Sequence, residues 1–366
     1  MEIIIEKQTL VSALEKIGKV LPQKPVINST GGILIEAKKE GITFTATDLQ
    51  LTIKIFAEAS VKDRGTMLVP GKNFISLIKK IPEDKVKIVQ TETHAIIDNK
   101  SFQYKFLLMN VDEYPKLPSE VETLSGSGKM SISTSDLFEM IKKTSYCVNP
   151  IEPRMFFRGV LIDVKNGLFC MVGTDTRRLS FVRKQVDGDI EIKLILPLRL
   201  TDVLPLIFKE SEIIMFFSKN QVVLQSERTT LTSQLLEGDF PDYEKVIPQS
   251  DKLNCATINT ALLLESLDRL SLMSSESFRS MKMNFRKNIL LLSIESPDSG
   301  YGEEKLTIDY SGTENTIIFN PDYLIQFLRT VTTESVEFSF QDPVKPAKLC
   351  EKENPDYVYV VMPIRP

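Results

Sequence analysis

Apolar residues fall at helical spacing in three comparable settings along the chain. Leu10, Ala13, Leu14, Ile17 and Leu21 make one stripe, Leu137, Met140 and Ile141 a second, and Leu263, Leu267 and Leu270 a third. Residues three and four apart share one face of a helix, so each run predicts a helix that buries one side. Ser133-Thr134 and Asn259-Thr260 precede the second and third stripes and carry side chains suited to capping free amides. A second helix is predicted after a proline in each region. Phe74, Leu77, Ile78 and Ile81 follow Pro70, while Leu200, Val203, Leu204 and Ile207 follow Pro197, and Leu324, Phe327 and Leu328 follow Pro321. Proline is tolerated at a helix start because the amide it removes has no intrahelical partner. Pro205, inside the second of these helices, predicts a kink or an early stop.

Between the two helices the period changes to two, the signature of strands. Gly32 to Leu51 reads GILIEAKKEGITFTATDLQL: strand, glycine turn, strand, then Thr47-Asp48. Gly159 to Ser180 repeats the design as GVLIDVKNGLFCMVGTDTRRLS, with its turn at Lys165-Asn166-Gly167 and its pair at Thr174-Asp175. Gly32 and Thr47 stand as far apart as Gly159 and Thr174. A third version runs from Met281 to Glu295, turning at Arg286-Lys287-Asn288, without the Thr-Asp pair. Each region closes with further alternating strands, at 85–89 and 102–108, at 213–217 and 221–225, and at 336–340 and 357–362. A pattern returning three times predicts a triplicated unit. The expected domains are 1–120, 129–249 and 250–366, joined by 119–129 and 249–253. Each is α+β, with two helices covering one face of antiparallel sheet, and three such units end to end predict an arc with the helices on one side.

Composition adds limits. The chain has 366 residues, 42% apolar and 26% charged, as an ordinary globular protein of two to four domains does. Its first residues lack a basic segment followed by an apolar core, so no signal peptide is expected. No apolar run approaches the ~20 residues that span a bilayer, so no membrane partner is expected. Cys147, Cys170, Cys255 and Cys350 are far apart with no CxxC pair, and read as reduced core thiols of a cytoplasmic protein. A net charge of −4 means that any nucleic-acid binding must come from a local concentration of Lys and Arg.

Candidate catalytic chemistry is sparse. Ser125-Gly126-Ser127-Gly128-Lys129 resembles a phosphate loop, but the Walker pattern needs Gly where Thr123 stands and Ser or Thr where Met130 stands. His94 is the only histidine, which leaves a Ser-His-Asp triad one possible base and a His-rich metal site none; a solvated surface histidine is expected. Asp112-Glu113 and Glu303-Glu304 are neighbours whose side chains point apart on a strand. No catalytic residue, metal or cofactor is assigned. One competing reading is an enzyme handling phosphates with Asp175 and nearby arginines, and another is a scaffold that binds only protein.

The helix polar faces carry Lys72, Lys79 and Lys80 on one helix and Lys142 and Lys143 on another, with Lys24, Arg154 and Arg279 at or beyond the end of each first helix. A solvated face explains any single helix. If three units present such faces together, the charges sum and phosphates are held without base contacts. The segment Met362 to Pro366 goes beyond the last strand, and Met with Pro suits an adaptable apolar pocket for peptides.

Over its full length the chain resembles the bacterial sliding clamp family, the beta subunit of DNA polymerase III. The resemblance is carried by the three repeats with Lys24-Pro25, Gly159 to Asp163, Thr174-Asp175 with Arg178-Leu179, Phe240-Pro241-Asp242-Tyr243, Phe278-Arg279 and Tyr359-Val360-Val361-Met362-Pro363. It implies a head-to-tail homodimer whose six domains close a ring around duplex DNA, placed by an ATP-driven clamp loader. Such a ring tethers the replicative polymerase and other proteins carrying a clamp-binding peptide motif, with no active site of its own. By the same resemblance Lys24, Lys72, Lys79, Arg154, Arg199 and Arg279 would face DNA. The partner-peptide pocket, between the second and third domains, would comprise Phe157, Thr174, Thr176, Arg177, Arg178, Leu179, Pro241, Lys245, Val246, Val344, Pro346, Val360, Val361, Met362, Pro363, Ile364 and Arg365. The dimer seam would be made by Tyr104 and Phe106 against Leu272 and Met273. Three departures stand out: Thr176-Arg177 where the family usually has Gly-His, Ile151-Glu152 where it can carry DNA-facing polar groups, and Pro366 where an aliphatic residue is common.

Overall fold

The computed structural model describes all residues except 100, 118–127, 189, 250–252, 276–278, 298, 353 and 366. Six α-helices occur among the described residues: α1 Lys7–Ile17, α2 Gly71–Lys80, α3 Thr134–Thr144, α4 Leu198–Ile207, α5 Thr260–Ser271 and α6 Pro321–Leu328. The predicted stripes lie on their buried faces, Leu10, Ala13, Leu14 and Ile17 in α1 and Leu263, Leu267 and Leu270 in α5. Asn259 caps α5 by accepting a hydrogen bond from Leu262 N at 3.0 Å, and Asn320 caps α6 through Asp322 N at 3.0 Å. Pro321 is the first residue of α6, whereas Pro70 and Pro197 end the strands that lead into α2 and α4. Helix α4 stops at Ile207, one half-turn after Pro205, which matches the early stop.

The chain forms two compact units. The first comprises Met1–Phe138 and Arg199–Leu235. It holds an eight-stranded antiparallel sheet in the order Gly128–Ser133, Glu212–Phe217, Gln221–Gln225, Thr229–Gln234, Leu51–Ala57, Gly41–Thr47, Gly32–Lys38, Gly65–Pro70. A five-stranded sheet runs Ser60–Asp63, Glu2–Glu6, Lys85–Gln90, His94–Asp98, Gln103–Leu107, the last being an edge. The second unit comprises Glu139–Leu198 and Leu236–Pro366. Its eight-stranded sheet runs Ile192–Pro197, Gly159–Lys165, Leu168–Thr174, Arg178–Gln185, Asn354–Val361, Ala347–Glu351, Ser335–Phe340, Asn254–Asn259. Its four-stranded sheet starts with the edge strand Gly300–Thr307, then Ile289–Ser296, Met281–Arg286 and Asn315–Phe319.

Both large sheets run across the border between repeats. Strand Leu51–Ala57 of the first repeat pairs with Thr229–Gln234 of the second, Ile53 opposite Leu231. Strand Arg178–Gln185 of the second pairs with Asn354–Val361 of the third, Leu179 opposite Val360. A strand laid antiparallel along its neighbour's edge satisfies a row of amides and carbonyls that would otherwise face water or another molecule. The compact unit and the sequence repeat are therefore different segments.

Two sequence expectations are corrected here. Lys143, read as part of a solvated basic face, is only 2% exposed. Its Nζ lies 3.2 Å from Glu351 Oε2, 3.0 Å from Glu139 Oε1 and 4.6 Å over the Tyr357 ring. Glu351 is completed by Thr332 N at 2.9 Å, Thr332 Oγ1 at 3.2 Å and Asn354 Nδ2 at 2.7 Å. Burying a charge is costly unless it is paired and hydrogen-bonded, and here both partners are. The second correction is Cys255, which is exposed while Cys147, Cys170 and Cys350 are buried. It lies on Asn254–Asn259, the edge of its sheet, where alternate residues face outward.

His94 is half-buried, its Nδ1 2.8 Å from Thr93 Oγ1. Lys129 and Met130 belong to strand Gly128–Ser133, so the phosphate-loop resemblance ends in a sheet; residues 123 and 125–127 lie outside the described residues, as do Phe278, Pro366, most of segment 119–129 and residues 250–252 of the second linker. Gly173 lets the end of α3 approach, since a Cβ there would stand 2.1 Å from the carbonyl oxygen of Thr144.

Candidate partner cleft and basic helices

The cleft in the second unit begins at the turn after Leu168–Thr174. Thr174 Oγ1 donates to Arg178 O at 2.6 Å and accepts from Thr176 N at 3.1 Å. Asp175 Oδ1 accepts from Arg177 N and Arg178 N, both at 3.0 Å. These are the bonds by which a Thr-x and an Asp-x-x side chain substitute for backbone partners in a tight turn. The cost falls on Thr176, a β-branched residue held at φ 72°.

Arg178 locks the turn to the third repeat. Its Nε meets Asp175 Oδ2 at 3.0 Å, Nη1 donates to Gln326 Oε1 at 2.6 Å and Nη2 to Tyr146 O at 2.8 Å. The guanidinium lies 4.4 Å over the Tyr323 ring. Burial alone would lower its affinity for the proton, but the groups around it outweigh that and hold it charged. The following strand brings Val360 beside Leu179, and Met362 N donates to Arg177 O at 2.9 Å.

The result is a hollow of about 200 Å³ lined by Phe157, Thr174, Thr176, Arg177, Arg178, Leu179, Phe240, Pro241, Tyr243, Val246, Val360 and Met362. Its floor is apolar and built from packed aromatic rings. Phe240 packs edge-on to Phe157 at 5.6 Å, and Tyr243 stacks on Phe181 at 5.6 Å. The Tyr243 hydroxyl donates to the buried Asp163 carboxylate at 3.1 Å, which gives its polar end a partner. Burial, then the neighbouring Cys170 and Asp163, push this phenol well above its ordinary range. Such a hollow takes apolar side chains of an extended segment and offers backbone-like polar groups only at its rim.

A second hollow lies in the first unit against α1, α2 and α4. It measures about 500 Å³ and is lined in part by Lys16, Lys19, Lys79 and Lys209, with Glu15 beside them. Glu15 pairs with Lys79 at 2.8 Å. Among the described residues no three His, Cys, Asp or Glu side chains gather to hold a metal ion.

Three family models match successive segments: the N-terminal domain of the DNA polymerase III beta subunit over residues 1–118, its central domain over 131–242 and its C-terminal domain over 244–365. The chain belongs to the DNA polymerase III beta-subunit family. It is 27% identical over 369 residues to the beta sliding clamp of Chlamydia pneumoniae, covering 100% of this chain and 99% of that one. The crystal structure of the beta subunit from Thermotoga maritima matches with a TM-score of 0.91 at 25% identity, covering 100% of this chain and 99% of the other. That from Pseudomonas aeruginosa has a TM-score of 0.94 at 24% identity, covering both chains entirely, and shares the fold. The architecture is thus three tandem clamp domains built of helices and antiparallel sheet.

Within this clamp fold the predicted pocket residues divide. Ten of them line the hollow; Phe240 and Tyr243, absent from the expected set, line it too. Their signal lies in the Phe240-Pro241-Asp242-Tyr243 motif, whose two aromatic residues both carry the family resemblance and form the floor. Val361 is a correction: it is buried on the opposite face of its strand, because side chains alternate and Val360 and Met362 take the cleft side. Lys245 points outward and pairs with Asp242 at 3.0 Å. Val344, Pro346, Pro363, Ile364 and Arg365 are also outside the lining, and Ile364 N donates to Ile318 O at 2.8 Å.

Of the expected DNA-facing cations, Lys24 is exposed, and Lys72 donates from Nζ to Gln23 O at 2.6 Å. Arg199 donates from Nη2 to Lys19 O at 2.7 Å. Arg154 pairs with Glu152 at 2.9 Å and lies 4.5 Å over Phe157, and Arg279 pairs with Asp322. Lys16, Lys19 and Lys209, outside the expected set, line the second hollow. Lys16 follows Ser12 at helical spacing on the polar face of α1, a signal the sequence carries, while Lys19 and Lys209 stand just past the ends of α1 and α4. At the expected seam, Leu272 is 80% exposed and Tyr104 43%, whereas Phe106 packs on Phe74 at 5.5 Å.

Proposed function

We propose that two copies of this chain close head to tail into a ring that encircles duplex DNA, slides along it and tethers the replicative polymerase. A clamp loader would place the ring, and partner proteins would insert a short motif with a Gln and Leu/Phe anchors into the hollow at Thr174–Arg178. The observation that carries the reading is the strand joint used twice in one chain. A third joint of that kind needs two edges, and the expected seam residues lie at two of them: Gln103–Leu107, which bears Tyr104 and Phe106, and Gly300–Thr307, whose Gly300 and Gly302 stand close to Met273. An interface that joins unlike surfaces either closes or propagates, and family membership favours closure.

Lysines on α1 and α2 and Arg199 on α4 would meet phosphates without reading bases, and their affinity would fall steeply with salt. Enclosure then supplies residence time, so tight contact is unnecessary and sliding is allowed.

Loaded onto a nicked circular plasmid, the protein should stay with the DNA through gel filtration at raised salt and leave when the plasmid is cut once. Equal retention on linear and circular DNA would refute enclosure, and no retention on either would favour a scaffold that binds only protein.

A further inference from the structure

The turn that shapes the partner cleft occurs a second time, in the first unit. Thr47 Oγ1 donates to Leu51 O at 2.8 Å and accepts from Leu49 N at 3.0 Å. Asp48 Oδ1 accepts from Gln50 N at 3.0 Å and from Leu51 N at 2.7 Å. Every one of these bonds has its counterpart at Thr174–Arg178, and Leu49 sits at φ 78° where Thr176 sits at 72°. Even the strand exit is repeated: Gln234 N donates to Gln50 O at 3.1 Å, as Met362 N does to Arg177 O. Beside this turn lies a hollow of about 190 Å³, close in size to the other.

The walls differ in chemistry. By strand register Thr52 stands where Leu179 does, Thr232 where Val360 does and Gln234 where Met362 does. Lys54, two residues on and therefore on the same face as Thr52, and Lys116 complete a lining that contains no Asp or Glu. We propose that this hollow is a second recognition site, one that binds an extended acidic peptide segment.

Leu49, Pro115, Leu117 and Val223 give this hollow some apolar wall. Thr52, Thr232 and Gln234, however, hold the strand positions of Leu179, Val360 and Met362, so an apolar anchor seated on them would leave hydroxyls and amides unpaired, which disfavours the ligand class suited to the first cleft. Carboxylates, in contrast, meet two ammonium groups, and peptide amides meet Thr and Gln side chains. The lining crosses three neighbouring strands, Leu51–Ala57, Thr229–Gln234 and Gln221–Gln225, a span of about 10 Å at the usual strand spacing. An extended chain covers that in about three residues, whereas a single small anion would fill one end.

The test uses the full-length protein and a fluorescein-labelled octapeptide of alternating Glu and Gln, followed by fluorescence anisotropy at low salt. Saturable binding is expected, weakened at least tenfold by Lys54→Gln with Lys116→Glu and at least threefold by Lys116→Glu alone. Lys116 is exposed, so the single variant tests the site without disturbing the sheet. An unlabelled peptide with Gln and Leu/Phe anchors should not displace the probe. No saturable binding, or binding unchanged in both variants, would overturn the proposal. Displacement by the anchored peptide would assign the probe to the other cleft and overturn it too. Tighter, equally Lys116-dependent binding of oligothymidylate would replace the peptide with a nucleic acid. None of these results depends on retention of circular DNA, so the two readings fail separately.

Discussion

Thr176 shows how one residue can carry a departure from its family. The turn needs a left-handed residue, the family usually supplies glycine, and here a β-branched side chain holds φ 72°. Left-handed backbone costs an ordinary residue about 1–2 kcal/mol, while glycine loosens the unfolded chain by about 0.4–1 kcal/mol. Thr176→Gly should therefore raise stability by up to about 1 kcal/mol, read as a higher thermal midpoint; a lowered midpoint would show that the hydrogen bonds of Thr174 already relieve the strain. Glu139 makes a different point. Partial burial pushes its carboxyl up, but the ammonium groups of Lys184 and Lys143 outweigh that and hold it below its ordinary value of 4.5. A group with a depressed folded value stabilises at neutral pH, and that contribution is lost as pH falls below 4.5 through the folded value. Glu139→Gln should thus be less stable than the parent at pH 7, with the difference shrinking in acid; a constant gap across denaturation curves from pH 7 to pH 3 would contradict it.

The element scale is where local reading of the sequence reached its limit. The stripes of α1 and α5, the cap at Asn259 and the turn at Asn166-Gly167 were legible because their causes lie within a few residues. Lys143 was not, because its partner Glu351 lies on a strand of the next repeat, and nothing near Lys143 in sequence announces it. The Val361 error was avoidable, since period-two alternation already separates it from Val360 and Met362. The buried pair also predicts an asymmetry. Lys143→Met alone should cost about 3–5 kcal/mol, because it strands the Glu351 carboxylate, while adding Glu351→Leu should recover much of that. Chemical denaturation of the two variants decides it; a double variant no better than the single one would mean that Glu351 serves mainly its Thr332 and Asn354 bonds.

For the whole molecule the repeats were readable and their joining was not, because strand partners are chosen by geometry between distant segments. The fold was legible as three α+β copies, and ten of the expected cleft residues do line one hollow. If the seam assignment holds, Leu272→Asp with Met273→Asp should give monomers in sedimentation, and an undisturbed dimer would exclude those residues. The crossing of sheets between repeats has a further consequence for how the polypeptide is made. Strand Leu51–Ala57 emerges early but waits for Thr229–Gln234, and Asn354–Val361, last of its sheet to be synthesised, belongs in the middle of it. At translation speeds of about 5–20 residues per second, unfinished edges stay open for roughly ten seconds or more. The growing chain thus has reason to need a chaperone during synthesis even though the finished one folds into close-packed sheets.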